Sequence, residues 1–244
     1  MSPLPVVALT CTEATGSLGA AIAILLVARG HRVAIYHDER NLARARMLAS
    51  ELGPERVHTQ AIELEAPDAW EAAVEATHAS FGIPEHAVLG FDRWEGGGGL
   101  LHDGPARHAG RYGRLMGSNT EAVYRALRVF LPSMVAARSG SVVVLSRRLA
   151  VRPWEAAGAA LYAASKAAAL ALVSAAAEEV RDHAVRVNAI VLTECDGPET
   201  RASMPDLDPA RWVSPEAVAR TVAFLVSDEA REITGAMIPM HGRI

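Results

Sequence analysis

The chain has 244 residues, half of them apolar, and a formal charge of −4 from 24 basic and 28 acidic side chains. That length buries a large core in a single domain over residues 1–244, and the lack of a basic surplus, with arginines scattered rather than clustered, excludes nucleic acid as a partner. Two cysteines far apart, Cys11 and Cys195, form neither a disulfide framework nor a zinc spacing.

Val6 to Thr10 is a short apolar run of the kind a doubly covered parallel strand shows, followed by a loop with Gly16 and Gly19 and a helix from Leu18 to Arg29 closed by Gly30. No basic segment precedes that first run, and Ala20 to Ala28 is too short to span a bilayer. A soluble protein in a reducing, cytoplasmic setting, with no membrane partner, is expected. Strands follow at Arg32 to Tyr36 and Val57 to Ile62, each followed by a helix: Asn41 to Leu52, stopped by Gly53-Pro54, and Pro67 to about Phe81. Ala87 to Leu89 is a short fourth strand. Residues 91–110 form a long irregular loop containing Gly96 to Gly99, whose composition favours mobility. Its His102, Asp103 and His108 match no usual ligand set, so no metal is expected. A long helix from Arg111 to Arg138 carries Asn119, and strands are expected at Ser141 to Leu145, Val185 to Val191 and Ala236 to Pro239. Residues 193–211 read as a flap over a substrate, within which Met204 and nearby Trp212, together with Trp154, are candidates to line an apolar pocket. Ser214-Pro215-Glu216 caps a helix to Leu225. The alternation of strand and helix predicts an α/β fold, a Rossmann-type doubly wound parallel sheet of about seven strands with helices on both faces.

The chemistry centres on Tyr162-Ala-Ala-Ser-Lys166, at the front of an alanine-rich helix from Gly158 to His183. A four-residue spacing puts phenol and ammonium on one helix face. A phenol with a pKa near 10 exchanges protons poorly at neutral pH, and a fixed cation beside it lowers that value. Lys166 is the sole lysine in the chain.

With this pair on a helix after the fifth strand, the chain resembles the short-chain dehydrogenases/reductases over nearly its whole length. The likeness includes Asn119, the run Arg186-Val187-Asn188-Ala189-Ile190, and Ile233-Thr234-Gly235 before the last strand. The resemblance implies Tyr162 as general acid/base, Lys166 lowering its pKa and binding the nicotinamide ribose, Asn119 holding a relay water, and a serine orienting the carbonyl. The serine position falls on Arg147, with Ser146 one place earlier. Either Ser146 supplies the hydroxyl after a local shift, or Arg147 donates in its place.

The segments implied to hold NAD or NADP have drifted. The family's Thr-Gly-x-x-x-Gly-x-Gly reads Thr12-Glu13-Ala14-Thr15-Gly16-Ser17-Leu18-Gly19 here, and of the motif's glycines only the last, Gly19, holds its place. Thr12, Gly16, Ser17, Leu18 and Gly19 remain the candidates for the phosphates. Ala87-Val88-Leu89-Gly90 stands where the family has Asn-Asn-Ala-Gly after the fourth strand, leaving Gly90, and Leu192-Thr193 replaces Pro-Gly. His37 and Asp38 end the second strand, where an acidic side chain binds ribose hydroxyls in NAD enzymes, with Arg40 nearby, and Glu63 replaces the aspartate that meets adenine. The expected function is NAD(P)-dependent oxidation or reduction of an alcohol or carbonyl in a small molecule. The alternatives are a cofactor-independent enzyme on this fold, of the halohydrin dehalogenase or lyase kind, and a catalytically silent homologue acting as a subunit. A homo-oligomer, dimer or tetramer, pairing through the helices of Asn119 and Tyr162 is expected.

Overall fold

The computed structural model describes residues 4–11, 17–63, 66, 68–96, 100, 110–206 and 208–242. Thr12, Gly16 and the three polar residues His102, Asp103 and His108 lie outside them.

Seven strands form one parallel sheet: β1 (Val6–Cys11), β2 (Arg32–His37), β3 (Val57–Ala61), β4 (Pro84–Gly90), β5 (Gly140–Arg147), β6 (Val185–Leu192) and β7 (Met237–Met240). Their order is β3-β2-β1-β4-β5-β6-β7, so the winding reverses between β1 and β4. Both faces are covered, and alternate side chains of each strand enter different layers, as the pleat requires. Val142 and Val144 join the layer under α3 (Ala69–Ser80), α5 (Ala122–Ala137) and α6 (Ala160–Glu179). Val143 and Leu145 join the layer under α1 (Ser17–Ala28), α2 (Leu42–Leu52) and α8 (Pro215–Val226). Each fully buried Leu9, Ile35 or Leu89 contributes about 1.5–3 kcal/mol by leaving water. Of the described helices, Ala160–Glu179 alone is long and apolar enough to cross a membrane by length and composition, and half of its most apolar window is buried inside the fold.

Two expectations need correction. β4 begins at Pro84, not Ala87, and runs through Gly90: Pro84 stands opposite Val6 and His86 opposite Val7, with the register shifting between them. Ala87 to Gly90 therefore lie inside the strand, and the segment that follows it is Phe91 to Trp94. The helix expected over residues 111–138 is α4 (Arg111–Met116), a π turn at Gly117–Glu121 and then α5. Such turns insert a residue into the ladder and are frequent at functional sites, and Asn119 lies within this one. Within residues 193–211, the expected flap, lie α7 (Pro198–Ser203) and a 3₁₀ turn at Pro209–Arg211.

The buried Asn188 explains why its strand and the chain's ending belong together. Its amide donates to Ile233 O at 2.8 Å and accepts from Ala236 N at 3.0 Å. Thr234 Oγ1 accepts from Val187 N at 3.2 Å and Gly235 N donates to Val187 O at 2.8 Å. These bonds fix β7 against β6 where a ladder of four residues would be weak.

His86 stands against Ser141 Oγ at 3.0 Å and edge-on to His31 at 5.9 Å. Burial, then the charges of His31 and Arg186, push its pKa down to about 4. The folded value lies below the unfolded 6.5, so the stability it carries is complete above pH 6.5 and is lost as pH falls toward 4. The loss is roughly 3 kcal/mol at full protonation. Urea midpoints are expected to fall between pH 7 and pH 4.5, and to fall less in His86→Gln.

Candidate functional site

The reacting groups gather where β4, β5 and α6 meet at the carboxyl ends of the strands, next to the reversal between β1 and β4. Tyr162 and Lys166 leave α6 on one face, as their spacing predicts, and both are buried. The group between them and β5 is one the sequence did not single out, Asp92, two residues past the end of β4.

Tyr162 Oη donates to Asp92 Oδ1 at 2.6 Å, and Arg147 Nε donates to Asp92 Oδ2 at 2.5 Å. Lys166 Nζ donates to Phe91 O at 2.6 Å and lies 3.6 Å from Asp92 Oδ1. Arg147 spreads its remaining donors over Thr193 O at 3.1 Å and Glu194 Oε2 at 3.2 Å. Two cations, two carboxylates and a neutral phenol balance the charge locally. Burial opposes ionisation of Asp92, but Arg147, Lys166 and the phenol's hydrogen bond outweigh it and hold its pKa at about 2. Burial is likewise the first influence on Arg147 and would ease its proton off, yet Asp92 keeps the guanidinium firmly charged.

The phenol is the main correction. Lys166 was expected to acidify Tyr162, whereas its pKa is raised well above 10, first by burial and then by the charge of Asp92, with Arg147 pulling the other way. The ammonium spends its nearest hydrogen bond on a backbone carbonyl, and a carboxylate stands against the ring hydroxyl. Tyr162 is therefore a neutral phenol whose hydrogen points at an anion.

Ser146 and Arg147 separate cleanly. Arg147 reaches the phenol's partner directly, while Ser146 Oγ is buried with no hydrogen-bond partner among the described residues, as is Thr193 Oγ1. Asn119 clamps the segment that carries Asp92: its Oδ1 accepts from Arg93 N at 2.8 Å, and its Nδ2 donates to Arg93 O and Ser165 Oγ, both at 3.0 Å. Glu95 adds a second anchor through Arg93 at 2.8 Å and Arg114 at 2.9 Å. Trp94 then lies edge-on over the Tyr162 ring, centroids 4.6 Å apart.

The other candidates scatter along the same sheet edge. Ser17, Leu18 and Gly19 open α1, with Gly19 buried and Leu18 packed on the core. Gly90 ends β4 beside Cys11. His37 is buried with Nδ1 at 2.8 Å from Asp38 O, so its ring is turned onto the backbone. Asp38 caps the turn at Glu39–Asn41 through Asn41 N at 3.1 Å, with Arg40 3.7 Å away, and Glu63 is exposed beyond β3. Trp154 stands in solvent and Trp212 is buried. Among the described residues no cluster of ligating side chains fits a metal.

Asp92 had one available signal. Arg147 ends a strand buried along its length, and a cation so placed demands an anion; the acidic residue just past the neighbouring strand is the nearest supply.

Comparison with known proteins agrees with this architecture. The family model described as Enoyl-(Acyl carrier protein) reductase matches residues 14–242. The 2,5-dichloro-2,5-cyclohexadiene-1,4-diol dehydrogenase LinX of Sphingobium indicum is 30% identical over 95% of this chain and 93% of its own. The 3-oxoacyl-[acyl-carrier-protein] reductase FabG of Staphylococcus aureus is 28% identical over 95% of each. Levodione reductase superposes with a TM-score of 0.83 at 25% identity, covering 98% of this chain and 96% of that one. A short chain oxidoreductase of Pseudomonas aeruginosa PAO1 described as containing an atypical catalytic center shares the fold, with a TM-score of 0.83 at 21% identity over 98% of this chain and 96% of its own.

Proposed function

We propose, because the chain belongs to the short-chain dehydrogenase/reductase family of oxidoreductases, that it interconverts an alcohol and a carbonyl in a small molecule with NAD or NADP. The observation that carries this reading is the convergence of Tyr162, Arg147 and Lys166 on Asp92 beside the sheet's reversal, the place where open α/β sheets bind their ligands. One relative is named as a dehydrogenase of a cyclic diol and another as a reductase of a 3-oxoacyl group, so an oxygen-bearing carbon is common to both.

The residues present fit a dinucleotide. The orphaned buried hydroxyls of Ser146 and Thr193 sit at the carboxyl ends of β5 and β6, where a polar ligand would satisfy them. Asp38 and Glu63 would meet the adenosine half, Ser17, Leu18, Gly19 and Gly90 would line the approach, and Lys166 would meet the nicotinamide half. When bound, the nicotinamide supplies hydride exchange. The chain's own part is the proton: Tyr162 exchanges it with the substrate oxygen, Arg147 and Lys166 offset the local negative charge, and Asn119 keeps the segment of Asp92 in place.

The cofactor-independent and silent readings draw on one observation, that the phenol's hydrogen is already claimed by Asp92. Titration with NADH and NADPH, followed by nicotinamide fluorescence, decides. Saturable enhancement with one of them at micromolar concentration is expected, and no binding of either at millimolar concentration removes the redox reading.

The proposal includes a single-domain, cytoplasmic protein with residues 193–211 over the substrate, and a homo-oligomer. Support for the last is an apolar depression of about 280 Å³ lined by Met116, Thr120, Glu121, Tyr124 and Leu172, on the helices of Asn119 and Tyr162. Ala164, Ala171 and Ala175 are exposed on the same helix as Leu172, so another helix can approach closely.

A further inference from the structure

A hydroxyl has one hydrogen to give and two lone pairs to receive with. Tyr162 directs its hydrogen to Asp92 Oδ1 over 2.6 Å, so what its oxygen offers a substrate is a lone pair. A lone pair receives an alcohol's O–H and gives nothing to a carbonyl. The groups around Asp92 are arranged to support this. Arg147 from β5 holds the second carboxylate oxygen, Lys166 from α6 lies 3.6 Å from the first, and Glu194 beyond β6 balances the far side of Arg147. Arg93, next along the chain, is turned to Glu95.

From this polarity we infer that Asp92 is the terminal proton acceptor of the site and that Tyr162 passes protons rather than storing them. This rests on the redox reading above. In alcohol oxidation the carbinol C–H bond breaks, and hydride with its electron pair leaves to an oxidised nicotinamide dinucleotide. The substrate O–H bond breaks, its proton joins Tyr162 Oη, and the proton already there crosses to Asp92 Oδ1. A C=O bond forms, the alcohol is oxidised and the dinucleotide reduced, and the carboxylic acid of Asp92 loses its proton to water. The phenol is neutral before and after, which reconciles a buried tyrosine of raised pKa with catalysis. Reduction runs the same path backwards and draws on protonated Asp92.

The pH dependence separates this from a tyrosine that acts alone. The oxidising form, ionised Asp92 with neutral Tyr162, is present throughout pH 6–9. Using cyclohexanol and cyclohexane-1,2-diol as probes with NAD and NADP, kcat/KM for oxidation is expected to be flat across that range. In Asp92→Asn the acceptor must be the phenolate itself, so kcat/KM is expected to rise about tenfold per pH unit and to lie at least about 100-fold below the parent at pH 7. A parent slope of one overturns the inference, and so does an Asp92→Asn loss that is equal at every pH, which is what a merely structural aspartate gives. Should neither probe turn over, the tyrosine absorbance at 295 nm decides. The phenolate signal of Tyr162, taken as the difference from Tyr162→Phe, is expected to be absent below pH 10 in the parent, and its appearance there overturns the proposal. Failure of the redox reading shows instead as absent nucleotide fluorescence.

Discussion

Tyr162→Phe is expected to lower kcat/KM for alcohol oxidation by about 10²- to 10⁴-fold, the range spanned by removing one positioned proton-transfer group. Nucleotide affinity is expected to stay within a few-fold, because the ring keeps its place under Trp94 and only the hydroxyl is lost. Stability is expected to change little, by about 1 kcal/mol, since Asp92 keeps Arg147 and Lys166 when the phenol's hydrogen bond goes. Steady-state kinetics with fluorescence titration of the same preparation checks both halves. A loss below tenfold would remove the phenol from the proton path.

The second large effect is on the fold. Arg147→Gln is expected to cost about 3 kcal/mol, because it takes from Asp92, mostly buried, a cation at 2.5 Å and leaves Lys166 at 3.6 Å, and strips Thr193 O of the Arg147 donor. For a chain of this length that is a fall in Tm of roughly 10 °C. The cost belongs to the stranded charge more than to the lost contact, so Asp92→Asn combined with Arg147→Gln is expected to lose less than the sum of the two single changes. Thermal unfolding of the three variants closes the cycle, and strict additivity would mean that the two residues do not act as a pair. The same pair sets an acid limit. Asp92 has a folded pKa of about 2 against an ordinary 3.8, so its stabilisation is present above pH 3.8 and is lost as pH falls toward 2.

The fold was legible because its signals are local. Apolar runs such as Val6 to Thr10 and Val185 to Val191, punctuated by Gly30, Gly53-Pro54 and Ser214-Pro215, report strands and helix ends without reference to anything distant. β4 was read three residues short at its start because Pro84, Glu85 and His86 look unlike a strand; a parallel strand accepts them at its amino end, where Glu85 is exposed and His86 is partnered by Ser141. Tyr162, Lys166 and Asn119 were legible from spacing and order. Asp92 was not. Its importance comes from docking against residues 55 and 70 positions later, and no periodicity encodes that. The direction of the Tyr162 pKa failed for the same reason: the sequence shows a cation four residues away along a helix, and only the tertiary structure shows a carboxylate nearer to the hydroxyl.

The account turns on an ionised Asp92 lying against a neutral phenol. Carbon-13 NMR of the protein labelled at aspartate carboxyls, with Asp92→Asn to assign the resonance, reads this directly. At pH 4, where an ordinary aspartate is close to half protonated, the Asp92 signal is expected to remain at its fully ionised position. An Asp92 resonance that titrates near pH 4 like an exposed aspartate would contradict the account.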